Sequence, residues 1–153
     1  MNASYANDIV ERRAEILARM DAALAVSGRT SGDATLVAVS KTVGVGEVLA
    51  AIDAGYRVFG ENRPQELNRK LEGLSAVHDL PDVRFDMIGN LQTNKINAVL
   101  GRVGLVHSIG SLHLACAVAS RVERRMETGE LDVPQDVLIA VSYTHLTLPT
   151  ILR

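Results

Sequence analysis

The chain has 153 residues, 47% of them hydrophobic, which is enough for one domain with a real core. A formal net charge of −2, a pI near 6.1 and an aromatic content of 3% without tryptophan argue against a nucleic-acid or anionic-membrane partner. There is no apolar run of membrane-spanning length, no signal-peptide h-region between Met1 and Arg13, and no internal partner for the single cysteine, Cys116, so a cytoplasmic protein is expected.

Residues 7–26 read as an amphipathic helix, because Ile9, Arg13, Leu17, Met20 and Leu24 recur at three- and four-residue steps. Ser27-Gly28 ends it, and 30–33 is a polar loop. Leu36-Val37-Ala38-Val39-Ser40-Lys41-Thr42 follows, an uncharged run that ends in a lysine and reads as a buried strand. Alternation along it places Val37, Val39 and Lys41 on one face, and Leu36, Ala38 and Ser40 on the other. A second helix is expected over 45–54, closed by Gly55 at the C′ position. Residues 57–61 form a second strand, and Pro64 suits the first turn of a helix reaching about 74.

Residues 73–82 then read as a loop and 83–89 as a third strand. Thr93 is placed to N-cap a helix over 94–100 that Gly101 stops. A fourth strand covers 105–109. Ser111 can cap the next helix, whose apolar stripe reads Leu112, Ala115, Val118, Val122 and Met126, with Gly129 at its end. A fifth strand is expected over 137–141.

Strand and helix alternate from residue 36 onward, which is the pattern of a parallel α/β sheet. A doubly wound sheet usually carries a glycine-rich phosphate turn after its first strand, and here that turn offers only Gly44-Val45-Gly46, without the third glycine. The other architecture is a (β/α)8 TIM barrel of about 250 residues. The expected fold is therefore a partial (β/α)8 TIM barrel, its first five β/α units preceded by an N-terminal helix.

The composition changes at residues 141–150, which hold no charged residue and three threonines. No helix follows the fifth strand. The expected reading is that 1–142 is the N-terminal portion of an interrupted domain, while 143–153 is a non-native tail of sequencing-adapter origin; a genuine C-terminal extension is the alternative. Tyr143 and His145 are accordingly left out of any site.

Parallel barrels place their chemistry at the C-terminal ends of the strands. Those ends carry Lys41, then Gly60-Glu61-Asn62, then Ile88-Gly89-Asn90, then His107-Ser108. No cluster has metal-ligand spacing, and no nucleophile elbow is present. Lys41 at the end of a buried strand is either a partly desolvated amine suited to attack on a carbonyl or a lysine that snorkels into water.

Leu36-Val37-Ala38-Val39-Ser40-Lys41-Thr42, Phe59-Gly60-Glu61-Asn62 with Gln65-Glu66, Ile88-Gly89-Asn90-Leu91-Gln92-Thr93-Asn94-Lys95 and His107-Ser108-Ile109 occur in order. Together, over about residues 7–142, they resemble the pyridoxal-phosphate homeostasis proteins. The resemblance implies the (β/α)8 barrel of the alanine-racemase N-terminal domain. It implies that Lys41 holds pyridoxal 5′-phosphate as a Schiff base, with Val39, Asn62, Ile88 and Ser108 as further cofactor-binding positions. It implies a role in vitamin B6 and amino-acid homeostasis without established catalytic turnover, a monomeric full-length form, and partners among enzymes that receive the cofactor. The family's phosphate-binding turns belong to later strands, so affinity in this chain is expected to suffer.

Other residues have structural readings beside the functional ones. Asn62 either faces the cofactor or caps the helix after it, and Ser108 either contacts the ligand or satisfies a backbone group. His107 is expected to pack toward the helices, and Glu123-Arg124-Arg125 to be a solvated helix face. Two rival functions stand: a racemase-like enzyme, which needs a second acid/base group, and a cofactor-free Schiff-base lyase.

Overall fold

A computed structural model describes residues 3–140; the expected tail, 143–153, lies outside the described residues. Five strands, β1 (Ala38–Val39), β2 (Val58–Glu61), β3 (Arg84–Met87), β4 (Leu105–Ile109) and β5 (Asp136–Ile139), form one sheet in the order β1-β2-β3-β4-β5. The strand pairs are parallel, with Val39 opposite Gly60, Met87 opposite Val106 and Val106 opposite Val137. Strand order never reverses, so the switch point that defines a doubly wound sheet is absent from the described sheet. The architecture is α/β, a partial (β/α)8 barrel with a leading helix.

The chain divides into two compact units. One contains the residues up to Gly60 together with Arg69–Arg84; the other contains Glu61–Asn68 and the residues from Phe85 on. In the first unit α1 (Ala3–Val26) packs on α2 (Val45–Asp53). The stripe expected from periodicity is the one that packs: Ile9, Arg13, Leu17 and Met20 are half-buried and Leu24 is buried, between exposed neighbours. Arg13 lies over the Tyr56 ring, 5.7 Å from its centroid. Gly55 closes α2 at φ +94°, a left-handed value that glycine adopts without strain.

The helix α3 (Pro64–Ser75) runs through Gly73, where the sequence suggested a loop. A Cβ on Gly73 would lie 2.7 Å from Val45 Cγ2, so the missing side chain is what lets this helix approach the start of α2. The apolar run around Lys41 also differs from expectation. Only Ala38 and Val39 pair as strand, Val39 is 55% exposed rather than in the core, and Lys41 stands in the following turn, exposed. An apolar run implies burial on both faces, but here Ser40 is the buried residue, at 3%.

In the second unit the connection between β3 and β4 is a 3₁₀ helix, Thr93–Ala98, rather than an α-helix over 94–100, and Gln92 rather than Thr93 holds the N-cap position. The helix α4 (Leu112–Glu127) is capped as expected by Ser111, whose Oγ accepts from Leu114 N–H at 3.2 Å. Its expected stripe holds at Ala115, Val118 and Val122, which are at least half-buried, and fails at its two ends. Leu114 and Val118 are buried, whereas Leu112 and Met126 are exposed. Arg125 leaves the solvated face to donate from Nη1 to Leu100 O at 3.1 Å.

Two glycines supply tests of this packing. Gly73→Ala should gain about 1 kcal/mol of helix propensity only in a Val45→Ala background; in the parent, the contact with Val45 should cancel it, as urea denaturation would show. At Gly89, a Cβ would lie 2.3 Å from the Asn62 carbonyl oxygen. Gly89→Ala is expected to lose about 1–3 kcal/mol, read as a lower urea midpoint.

Candidate functional site

The turn that carries Lys41 is built from three hydrogen bonds to one residue. Ser40 N–H donates to Gly60 O at 3.0 Å, which extends the β1–β2 pairing by one step. Ser40 O accepts from Val43 N–H at 3.2 Å, which closes the turn Ser40-Lys41-Thr42-Val43. The same oxygen accepts from Lys70 Nζ at 2.5 Å. Both lone pairs of that carbonyl are thereby engaged. Lys41, second in the turn, is exposed, while Ser40 before it is buried.

Beyond the turn, α2 begins at Gly44-Val45-Gly46. Glu47, at the third helical position, accepts the Gly44 N–H on its Oε2 at 3.0 Å. A carboxylate therefore occupies the helix start that a phosphate would use in a dinucleotide fold, which removes the weak phosphate-turn reading. A cleft of about 540 Å³ lies beside β1, lined by Ile9, Ile16, Val39, Ser40, Val43 and Tyr56 among others. Val39 lines this cleft; Lys41 does not.

The second unit holds the other three candidates in a row across the ends of β2, β3 and β4. Ile88 N–H donates to Glu61 O at 2.8 Å, which sets the β3 end against the residue before Asn62. Gly89 rests directly against the Asn62 backbone. On its other side, the Gly89 carbonyl accepts from Ser108 Oγ at 2.5 Å. The Ser108 hydroxyl proton is thus committed to a neighbouring backbone group, the plainer of its two readings, and its lone pairs remain as acceptors. Pro64 is the first helical residue of α3, so Arg63 rather than Asn62 occupies the N-cap position. Asn62, Asn90 and the half-buried Lys95 line a polar cleft of about 460 Å³.

Three features went unread in the sequence. Lys70 is fully buried, as are Glu61 and Asp86. His107 places Nε2 at 3.0 Å from Asp86 Oδ2, a partner the sequence did not show. Lys70 carried a usable signal, because it falls on the buried stripe of α3 with Pro64, Leu67 and Leu74. A lysine in a core-facing position needs partners for its amine, and Ser40 O is one of them.

No family model matches the chain. It is 36% identical over 132 residues to the pyridoxal phosphate homeostasis protein of Aquifex aeolicus, covering 86% of this chain and 54% of that relative. It is 36% identical over 109 residues to the protein of the same name from Escherichia coli K12, covering 71% and 46%. Among solved structures it is similar to an unknown protein from Bifidobacterium adolescentis, with a TM-score of 0.72 and 38% identity over 82% of this chain and 53% of that one. It is also similar to PipY of Synechococcus elongatus PCC7942 with PLP bound, with a TM-score of 0.64 and 26% identity over 86% and 67%. The chain spans about half the length of the curated relatives it matches. On the strength of these identities, the chain belongs to the pyridoxal phosphate homeostasis protein family.

Proposed function

We propose that the protein binds pyridoxal 5′-phosphate covalently through Lys41 and serves the intracellular homeostasis of that cofactor rather than a catalytic turnover. The observation that carries this reading is the setting of Lys41, an exposed primary amine second in a turn whose first carbonyl is bonded twice. The residues present fit such a group. An accessible amine on a held backbone suits a small aldehyde, and the relative from Synechococcus elongatus was solved with PLP bound.

When bound, the cofactor supplies an aldehyde, which condenses with a neutral amine to form a C=N bond with release of one water. The chain's own residues supply the rest. Lys41 Nζ is the attacking group, and Val39 offers an apolar surface two residues before it. Asn62 and Ser108 are proposed as hydrogen-bonding contacts, Ser108 through its unused lone pairs, and Ile88 as packing surface. No helix among the described residues is long and apolar enough to cross a membrane. A cytoplasmic site of action and apo-enzymes as recipients of the cofactor belong to the same proposal.

The test is reductive trapping. The protein, incubated with pyridoxal phosphate and reduced with borohydride, should carry the added mass on the peptide that contains Lys41, and Lys41→Ala should lose it. Equal trapping in Lys41→Ala, on other lysines, would sink the assignment. A racemase-like enzyme is discriminated separately. Incubation with alanine and cofactor in deuterated water should give no Cα exchange above that of the free cofactor.

A further inference from the structure

Lys70 has no part in the function described above, yet it is one of the largest fully buried side chains among the described residues. Burying a lysine is costly unless its amine is hydrogen-bonded, so where the amine donates is informative. Lys70 Nζ donates at 2.5 Å to the carbonyl of Ser40, the oxygen of the peptide unit that joins Ser40 to Lys41. The same oxygen closes the turn by accepting from Val43 N–H, and Ser40 N–H is held by Gly60 O.

A two-residue strand provides little pairing of its own, since β1 is only Ala38–Val39. Without a tertiary tie, the plane of the Ser40–Lys41 peptide would be restrained mainly by the local turn bond against rocking about Ser40 ψ and Lys41 φ, the soft torsions that set where the Lys41 side chain leaves the backbone. Lys70 reaches this oxygen from α3, thirty residues further along the chain. The bond is therefore a tertiary restraint on the peptide that carries the reactive amine.

We propose that Lys70 is a positioning residue for Lys41: its buried amine fixes the Ser40 carbonyl and so orients the lysine that holds the cofactor. The inference rests on the reading of Lys41 given above, but it has a consequence that needs no cofactor. In the cofactor-free protein, Val43 N–H should be well protected from hydrogen exchange, because its acceptor is held in place.

The test compares Lys70→Met, which fills the same space without a donor, with Lys70→Arg, which retains donors. In the free protein, Lys70→Met should speed Val43 amide exchange while leaving Leu114 N–H, bonded to Ser111 in the other unit, unchanged. With pyridoxal phosphate, the rate of trapping at Lys41 should fall roughly tenfold or more in Lys70→Met and recover at least partly in Lys70→Arg. Both are measured at a temperature where circular dichroism shows each variant folded. Lys70→Leu, also without a donor, takes the place of Lys70→Met if that variant does not fold.

Unchanged Val43 exchange and unchanged trapping in Lys70→Met would overturn the role given to Lys70. If the parent protein itself fails to trap cofactor at Lys41, the reading of Lys41 falls and the positioning role falls with it. Val43 exchange then shows separately whether the Lys70 restraint on the turn is real.

Discussion

The peptide joining Ser40 to Lys41 is where secondary structure, core packing and the candidate chemistry meet. The peptide before it is held to β2 by Ser40 N–H donating to Gly60 O, and its own oxygen is held both by the turn and by the buried amine of Lys70. A backbone carbonyl with both lone pairs engaged cannot reorient without breaking at least one bond in a place where water does not readily replace it. The exposed position of Lys41 follows from this: the chain turns out of the sheet immediately after a buried, fixed residue.

The same economy of small residues and short bonds recurs around the other strand ends. Gly89 lies so close to the Asn62 backbone that no larger residue fits, and its carbonyl receives the Ser108 hydroxyl. In this way one glycine links the residues after β2 and β3 to β4. At the start of α2, Glu47 rather than an external anion satisfies the Gly44 N–H, so this helix terminus is completed by the chain itself. Buried Glu61, Asp86 and Lys70 show that the interior carries polar groups at several strand and helix positions, each engaged in bonding rather than isolated.

Much of the fold was legible before any coordinates. The α1 stripe, the closing glycines at 55 and 129, Pro64 at the start of α3 and the Ser111 cap all rest on interactions within a few residues, and all are found where expected. The failures share a different origin. The run ending in Lys41 looked like a doubly buried strand because periodicity records side-chain type, not what covers each face. Thr93–Ala98 contains a suitable capping residue and an apolar pattern, and nothing local separates a 3₁₀ helix from the start of an α-helix. The α4 stripe held at Ala115, Val118 and Val122 but not at Leu112, because Leu114 is the buried leucine and only the packed neighbour decides between them.

For the candidate site, the residue types at the strand ends were readable, because the motifs name Lys41, Asn62, Ile88 and Ser108 as candidates without knowledge of contacts. What they touch was not. The commitment of Ser108 to Gly89, the approach of His107 to Asp86 and the reach of Lys70 to Ser40 each join residues 19 to 30 positions apart. Sequence by itself determined the order of strands and helices, since this follows from local propensity, capping and turn chemistry. Tertiary structure alone decided which polar groups are buried and what they hold, because burial depends on segments distant in the chain that only packing brings together.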